Sequence, residues 1–217
     1  MDPVAGGLYA STPQPMPFGR SLEGRAFLLQ RERGNVLVYS SGTLEPDARA
    51  IEELGGITRE YLNHRHEASS SCDWVRATFG ATLHCHENER GAVAETCAVD
   101  ETFSERHVVD GDFEVIPTPG HTSGATAYLW TSGEHRCLFT GDTIMLRGGD
   151  WGVVLLDGTS DRGDYIESLE LIRGLDFDLL VPGFGTSGLP FYAVTDEADR
   201  ERRIDELLAR VKGGENY

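Results

Sequence analysis

Three turns, each closing a strand-like apolar run, constrain this chain more than any other feature of its sequence. They are Leu62-Asn63-His64-Arg65-His66, Thr118-Pro119-Gly120-His121-Thr122-Ser123-Gly124 and Phe139-Thr140-Gly141-Asp142-Thr143. Side chains two apart on extended backbone point to the same side, so His64 and His66 can reach one ion. Pro119 and Gly120 tighten the second turn, which lets a short loop present His121 at a sheet edge. In the third, a buried strand ends at Gly141, where the backbone can approach closely, and then at the Asp142 carboxylate. Imidazoles and a carboxylate make a site only where they converge. Each turn taken alone is also explicable as an ordinary turn.

The apolar pattern gives an order of strands and helices along the chain. Residues 26–29 and 35–39 read as strands joined by a polar turn, and 46–54 as a short helix with Pro46 in its first turn. Strands at 57–62 and 81–85 flank a helix at 72–79 that Gly80 stops. In the second half, 113–116, 125–130 and 137–140 are strand-like, and 161–172 is helical with Tyr165, Leu169 and Ile172 on one face. A strand at 177–181 precedes an amphipathic helix at 196–211 carrying Ile204, Leu207, Leu208 and Val211. Two β-rich halves with helices between them predict an α+β fold of two packed sheets with helices outside. The 217 residues suit one domain over 1–217. A chain of that size buries roughly 70% of its unfolded surface without staples.

The formal charge of -17 excludes most polyanionic partners, because such a chain repels phosphate backbones and anionic membrane surfaces. Arg31, Arg33, Arg200, Arg202, Arg203 and Arg210 are interleaved with acids and read as solvated faces rather than a basic patch. The expected partner is a small molecule, with neither nucleic acid nor membrane involved. No apolar run approaches the ~20 residues that span a bilayer. No basic region followed by an apolar stretch marks a signal peptide, so the expected location is the cytoplasm. Cys72, Cys85, Cys97 and Cys137 include no CxxC pair and read as reduced thiols.

Taken in order, the chemistry-bearing turns resemble those of the metallo-β-lactamase superfamily. Members of that family carry HxHxDH, then PGHT, then TGD, and often PGHG near the last strand. This chain has His64-Arg65-His66-Glu67-Ala68-Ser69, Pro119-Gly120-His121-Thr122, Thr140-Gly141-Asp142 and Pro182-Gly183-Phe184-Gly185. The resemblance covers about residues 26–185 and implies a four-layer αββα sandwich. It assigns one metal ion to His64, His66 and His121, and makes Asp142 the bridging carboxylate. The remaining ligands of a second ion fall at Ala68, Ser69 and Phe184, which offer at best a hydroxyl. The resemblance therefore implies a degenerate, mononuclear site on His64, His66, His121 and Asp142.

One zinc ion with an open position would make the chain a hydrolase of a small ester, thioester, lactone or amide. Iron held by the same histidines and Asp142 would instead resemble persulfide dioxygenases, which usually keep the intact HxHxDH. Manganese is a further candidate ion. A metal-free binding protein on the same scaffold is the third expectation, and the sequence leaves the catalytic base unassigned. Phe184 predicts an apolar pocket wall. Among weaker candidates, His84 and His86 lie on one face of a strand with Cys85 on the other. Glu67 and Asp73 are candidate general bases that read first as solvated acids, Trp151 as a pocket cap or a residue packed under a loop, and Met16-Pro17-Phe18 as part of a lid.

Overall fold

A computed structural model describes residues 1–16, 19–40 and 42–217. Pro17 and Phe18, expected with Met16 to form part of a lid, lie outside the described residues.

The layers follow from strands whose two faces are both apolar. In the first sheet the strand order is Asp2–Ala5, Leu8–Ala10, Phe27–Leu29, Val36–Val38, Arg59–Tyr61, Thr82–His86 and Glu101–Phe103. In the second it is His107–Val109, Phe113–Pro117, Thr126–Ser132, His135–Gly141, Leu179–Pro182 and Ala193–Val194. Successive side chains on a strand face opposite ways. Phe27, Leu29, Val36 and Val38 accordingly pack in one core with Phe113, Val115, Tyr128, Phe139 and Val181 of the second sheet. Leu28 and Leu37 turn outward instead, against Ile51 and Val75. Those two residues belong to helices α1 (Ala48–Glu53) and α2 (Ser70–Phe79).

The second sheet behaves in the same way. Ala127, Leu129, Leu138 and Leu180 leave the central core and meet Tyr165, Leu169, Ile204 and Leu207. After the single-turn α3 (Arg90–Val93), these come from α4 (Arg162–Arg173) and α5 (Glu197–Lys212). Helix, sheet, sheet, helix is the αββα sandwich that the alternation predicts. Asp161 and Asp196 cap α4 and α5 by accepting from the N–H groups of Asp164 and Asp199. Their acidic character suits the positive N-terminal end of a helix.

A third, smaller sheet orders Asp150–Gly152, Met145–Arg147, Phe184–Thr186, Gly19–Gly24 and Gln14–Met16. The sequence pattern missed it, because its strands are short and mostly lack a continuous apolar run. Two arginines also depart from their expected solvated place. Arg31 is buried against Asp112, and buried Arg200 donates to the Phe177 carbonyl. All four cysteines are free and buried. No helix among the described residues is long and apolar enough to cross a membrane.

Candidate metal centre

The strand ends determine the site. Arg59–Tyr61 runs parallel to both its neighbours in the first sheet, and its C-terminal end leads directly into Leu62, Asn63 and His64. In the second sheet, Phe113–Pro117 and His135–Gly141 each pair antiparallel to the strand between them, so both point the same way. Their C-terminal ends deliver His121 and Asp142 to one edge.

His64 and His66 meet by a different route from the expected one. His64 is extended (φ -160°, ψ 173°), but Arg65–Glu67 is a 3-10 turn that folds His66 back toward it. The turn is closed by Glu67, which accepts from the Asn63 N–H at 2.8 Å. Glu67 is therefore not the solvated acid that its sequence context predicts. Its side chain is 9% exposed, and burial, reinforced by Asp142, raises its pKa well above the ordinary carboxylate range. Asp73, by contrast, is exposed and accepts from the Ala98 N–H.

One imidazole nitrogen from each of His64, His66 and His121 lies within 4.8 Å of the others. Asp142 Oδ2 stands 3.4 Å from His64 Nε2 and 3.5 Å from His121 Nε2. The opposite ring nitrogens fix the tautomers. His121 Nδ1 is 2.8 Å from the Val154 carbonyl oxygen, which can only accept, so Nδ1 carries the proton. His64 Nδ1 is 2.9 Å from Asn63 Oδ1. The Asn63 amide is oriented by its Nδ2 donating to the Thr126 carbonyl, so His64 Nδ1 also donates. Both Nε2 atoms are therefore left as bare lone pairs, buried and without a hydrogen-bond partner.

Burying an acceptor with no partner costs roughly 1–3 kcal/mol, and here two such atoms face one carboxylate and a third imidazole. A cation is the group that fits this donor set, since histidine ligands characteristically donate their second nitrogen to an oxygen acceptor. Burial depresses the pKa of all three histidines, and for His64 the neighbouring His121 and His66 add to the effect. Neutral imidazoles are the form that ligates metal. Burial pushes Asp142 up to about 7, against the lowering pull of His66.

Several residues that sequence reading missed hold this arrangement in place. Asn63 Oδ1 also accepts from the Asp142 N–H at 3.3 Å, joining two of the loops. A Cβ on Gly141, whose φ is +53°, would overlap the Asn63 carboxamide, so this turn requires glycine. Tyr39 accepts from Gly141 N–H and donates to the Val181 carbonyl, both at 2.8 Å. Tyr39 itself sits at φ +68°, a strained conformation for a bulky residue. Tyr165 accepts from Val154 N–H and donates to the Thr143 carbonyl. Buried Glu89 ties the first histidine loop to the second through Arg65 and the Gly124 N–H. The only available signal was Asn63 standing next to His64. Glu89 had none, because its partners lie 24 and 35 residues away.

The positions that the family resemblance gives to a second ion are taken by structural side chains. Ser69 caps α2, accepting from Ser71 N–H. Ala68 packs against a cluster containing Leu62, Cys72 and Cys97. Phe184 is buried beside Met145 and Val154. Of the weaker candidates, His84 stacks on Tyr61 at 4.5 Å, while His86 caps the next turn by accepting from Asn88 N–H. Trp151 lies in the helix-side core near Phe177, away from the cavity. The cavity itself, about 890 Å³, has the three histidines and Asp142 at one end and Met145, Leu156 and Phe184 along its wall.

A family model described as the metallo-beta-lactamase superfamily matches residues 24–183. A hydroxyacylglutathione hydrolase of Rhodospirillum rubrum is 29% identical over 156 residues, covering 70% of this chain and 57% of that protein. The chain spans between 44% and 58% of the length of the curated relatives it matches. Among solved structures, a metallo-beta-lactamase from Pontibacter korlensis superposes with a TM-score of 0.74 at 15% identity, covering 97% of each chain. ETHE1 from Myxococcus xanthus gives 0.60 at 23% identity, covering 87% of this chain and 85% of that one. At these identities the structural likeness speaks for the fold alone.

Proposed function

The chain belongs to the metallo-beta-lactamase superfamily, and from that premise we propose that it is a hydrolase with one metal ion, zinc foremost, acting on a small ester, thioester, lactone or amide. His64, His66 and His121 would hold the ion through their imidazole nitrogens, with Asp142 Oδ2 completing the set. The observation that carries this reading is the pair of buried, unpartnered Nε2 atoms on His64 and His121. When bound, such an ion polarises a carbonyl and lowers the pKa of the water it holds to about 7.

The chain's own residues do the positioning. The Val154 carbonyl and Asn63 Oδ1 fix which nitrogen of each ring faces the cavity. Tyr39 and Tyr165 hold the 141–143 turn from two sides, so that Asp142 keeps its place beside both rings. Met145, Val154 and Phe184 give the cavity an apolar wall beside the histidines. A hydroxyacylglutathione hydrolase among the relatives supports acyl transfer to water as the reaction class. A mononuclear iron oxidoreductase is the second reading, favoured by Asp142 standing close to two imidazoles, since histidines plus one carboxylate also suit iron.

The test is a panel of small esters, thioesters, lactones and amides offered to metal-depleted protein, then to protein reloaded with zinc, iron or manganese. Hydrolysis restored by zinc supports the first reading. Oxygen consumption restored only by iron supports the second. Turnover that does not depend on any added ion contradicts both.

A further inference from the structure

The far end of the cavity narrows the substrate class. On the strand Met145–Arg147 the alternation sends Leu146 into the helix-side core, while Met145 and Arg147 face the cavity. On the adjacent strand Phe184–Thr186, Phe184 and Thr186 share that face. Leu22 pairs directly across from Thr186, so the small sheet forms one wall. Met145, Val154 and Phe184, with Met16, Leu22 and Leu156 packed against them, make that wall apolar.

Arg147 ends the wall. It is exposed and makes no ion pair among the described residues, as is also true of Arg33, Arg90 and Arg162, and Asp150 is its neighbour across the hairpin. Arg25, Arg31, Arg59, Arg65, Arg76 and Arg203 are each paired with a carboxylate. Among the described residues lining the cavity, Arg147 is the one arginine or lysine. Two residues of strand place Arg147 about 7 Å beyond Met145. Chain order then runs from Asp142 at the polar end, past Met145, to a cation.

We propose that this site takes an acyl compound with an apolar chain whose far end is anionic. The scissile carbonyl lies at the histidines, the hydrocarbon lies along Met145, Phe184 and Leu22, and the anion pairs with Arg147. The inference rests on the hydrolase reading above, and it concerns the opposite end of the same cavity.

Product-like acids test it by binding rather than turnover. Straight-chain monocarboxylates from butanoate to decanoate, and dicarboxylates from succinate to sebacate, are titrated calorimetrically into zinc-loaded and metal-depleted protein. The affinity of both series rises about threefold per added methylene until the wall is covered. The longer dicarboxylates bind about two- to fivefold tighter than monocarboxylates of equal length, as an exposed ion pair allows. Arg147→Gln removes the advantage of the dicarboxylates and keeps the chain-length slope. Phe184→Ala reduces the slope and keeps the advantage. A flat chain-length response, or a dicarboxylate advantage that survives Arg147→Gln, overturns the proposal. Failure to load zinc would instead count against the hydrolase reading, and the slope on metal-depleted protein would still decide this one.

Discussion

The two sides of the cavity differ in what their polar atoms are for. On one side, His64, His121 and Asp142 are each held from behind, by Asn63, by the Val154 carbonyl and by the tyrosine-clamped turn. The Nε2 atoms of His64 and His121 are left without a hydrogen-bond partner. On the other side, where relatives of the resembling family place further ligands, the available side chains serve the fold. The Ser69 hydroxyl accepts from Ser71 N–H and lies 3.4 Å from the Ser40 hydroxyl, and Phe184 fills an apolar cluster. Unsatisfied buried acceptors are costly, and the two Nε2 atoms are the ones that face each other across the Asp142 carboxylate.

This contrast can be broken most forcefully at His121. His121→Ala should weaken zinc affinity by more than about a hundredfold, measured by competition with a coloured chelator, because it removes a ligand rather than a ligand's support. Asn63→Ala should cost about ten- to a hundredfold in the same assay while leaving all the proposed ligands present. Equal losses from the two variants would mean that Asn63 ligates, or that His121 does not. Phe184→His restores an imidazole to the other side, yet Ala68 and Ser69 still offer no carboxylate or ring. Elemental analysis should show no additional ion, and denaturant unfolding should show a loss of about 1–3 kcal/mol from placing a polar ring in the apolar cluster.

Ser69→Ala should cost about 1 kcal/mol through the lost cap on α2, with zinc affinity unchanged. A fall in affinity there would put Ser69 back among the ligands.

Glu60 serves as the control for a buried carboxyl outside the ligand set, with an effect no larger than that of Ser69. Burial raises its pKa well above the usual value, with Cys72 adding to the effect. A raised folded-state pKa gives stability that is full below the unfolded value of about 4.3 and is lost as pH rises through the folded value. Glu60→Gln should therefore stabilise by an amount on the order of 1 kcal/mol at pH 8 and by less at pH 5, read as a shift in melting temperature. A benefit independent of pH would contradict that origin.

The sandwich was legible because its strands advertise themselves. Runs such as Ala26-Phe27-Leu28-Leu29 are apolar on both faces, and only a sheet packed on both sides needs that. The third sheet was not legible, since Gln14–Met16 and Asp150–Gly152 are short edge strands of local hairpins, and the two hairpins become one sheet only through Phe184–Thr186, far from both in the chain. The four clustered residues could be read from their turns. The route by which His66 reaches His64 could not, because Arg65–Glu67 closes into a 3-10 turn through Glu67, whose role depends on one backbone N–H. Residues that orient others, such as Tyr39, Glu89 and Tyr165, carry no sequence sign of that role and emerge only when the loops are brought together.

The central claim is that one side of the cavity binds an ion and the other does not. Purified protein, depleted of metal and then equilibrated with excess zinc and desalted, should hold about one zinc per chain by elemental analysis. Two per chain would show that the Phe184 side still ligates. None would mean that the bare Nε2 atoms of His64 and His121 serve no cation.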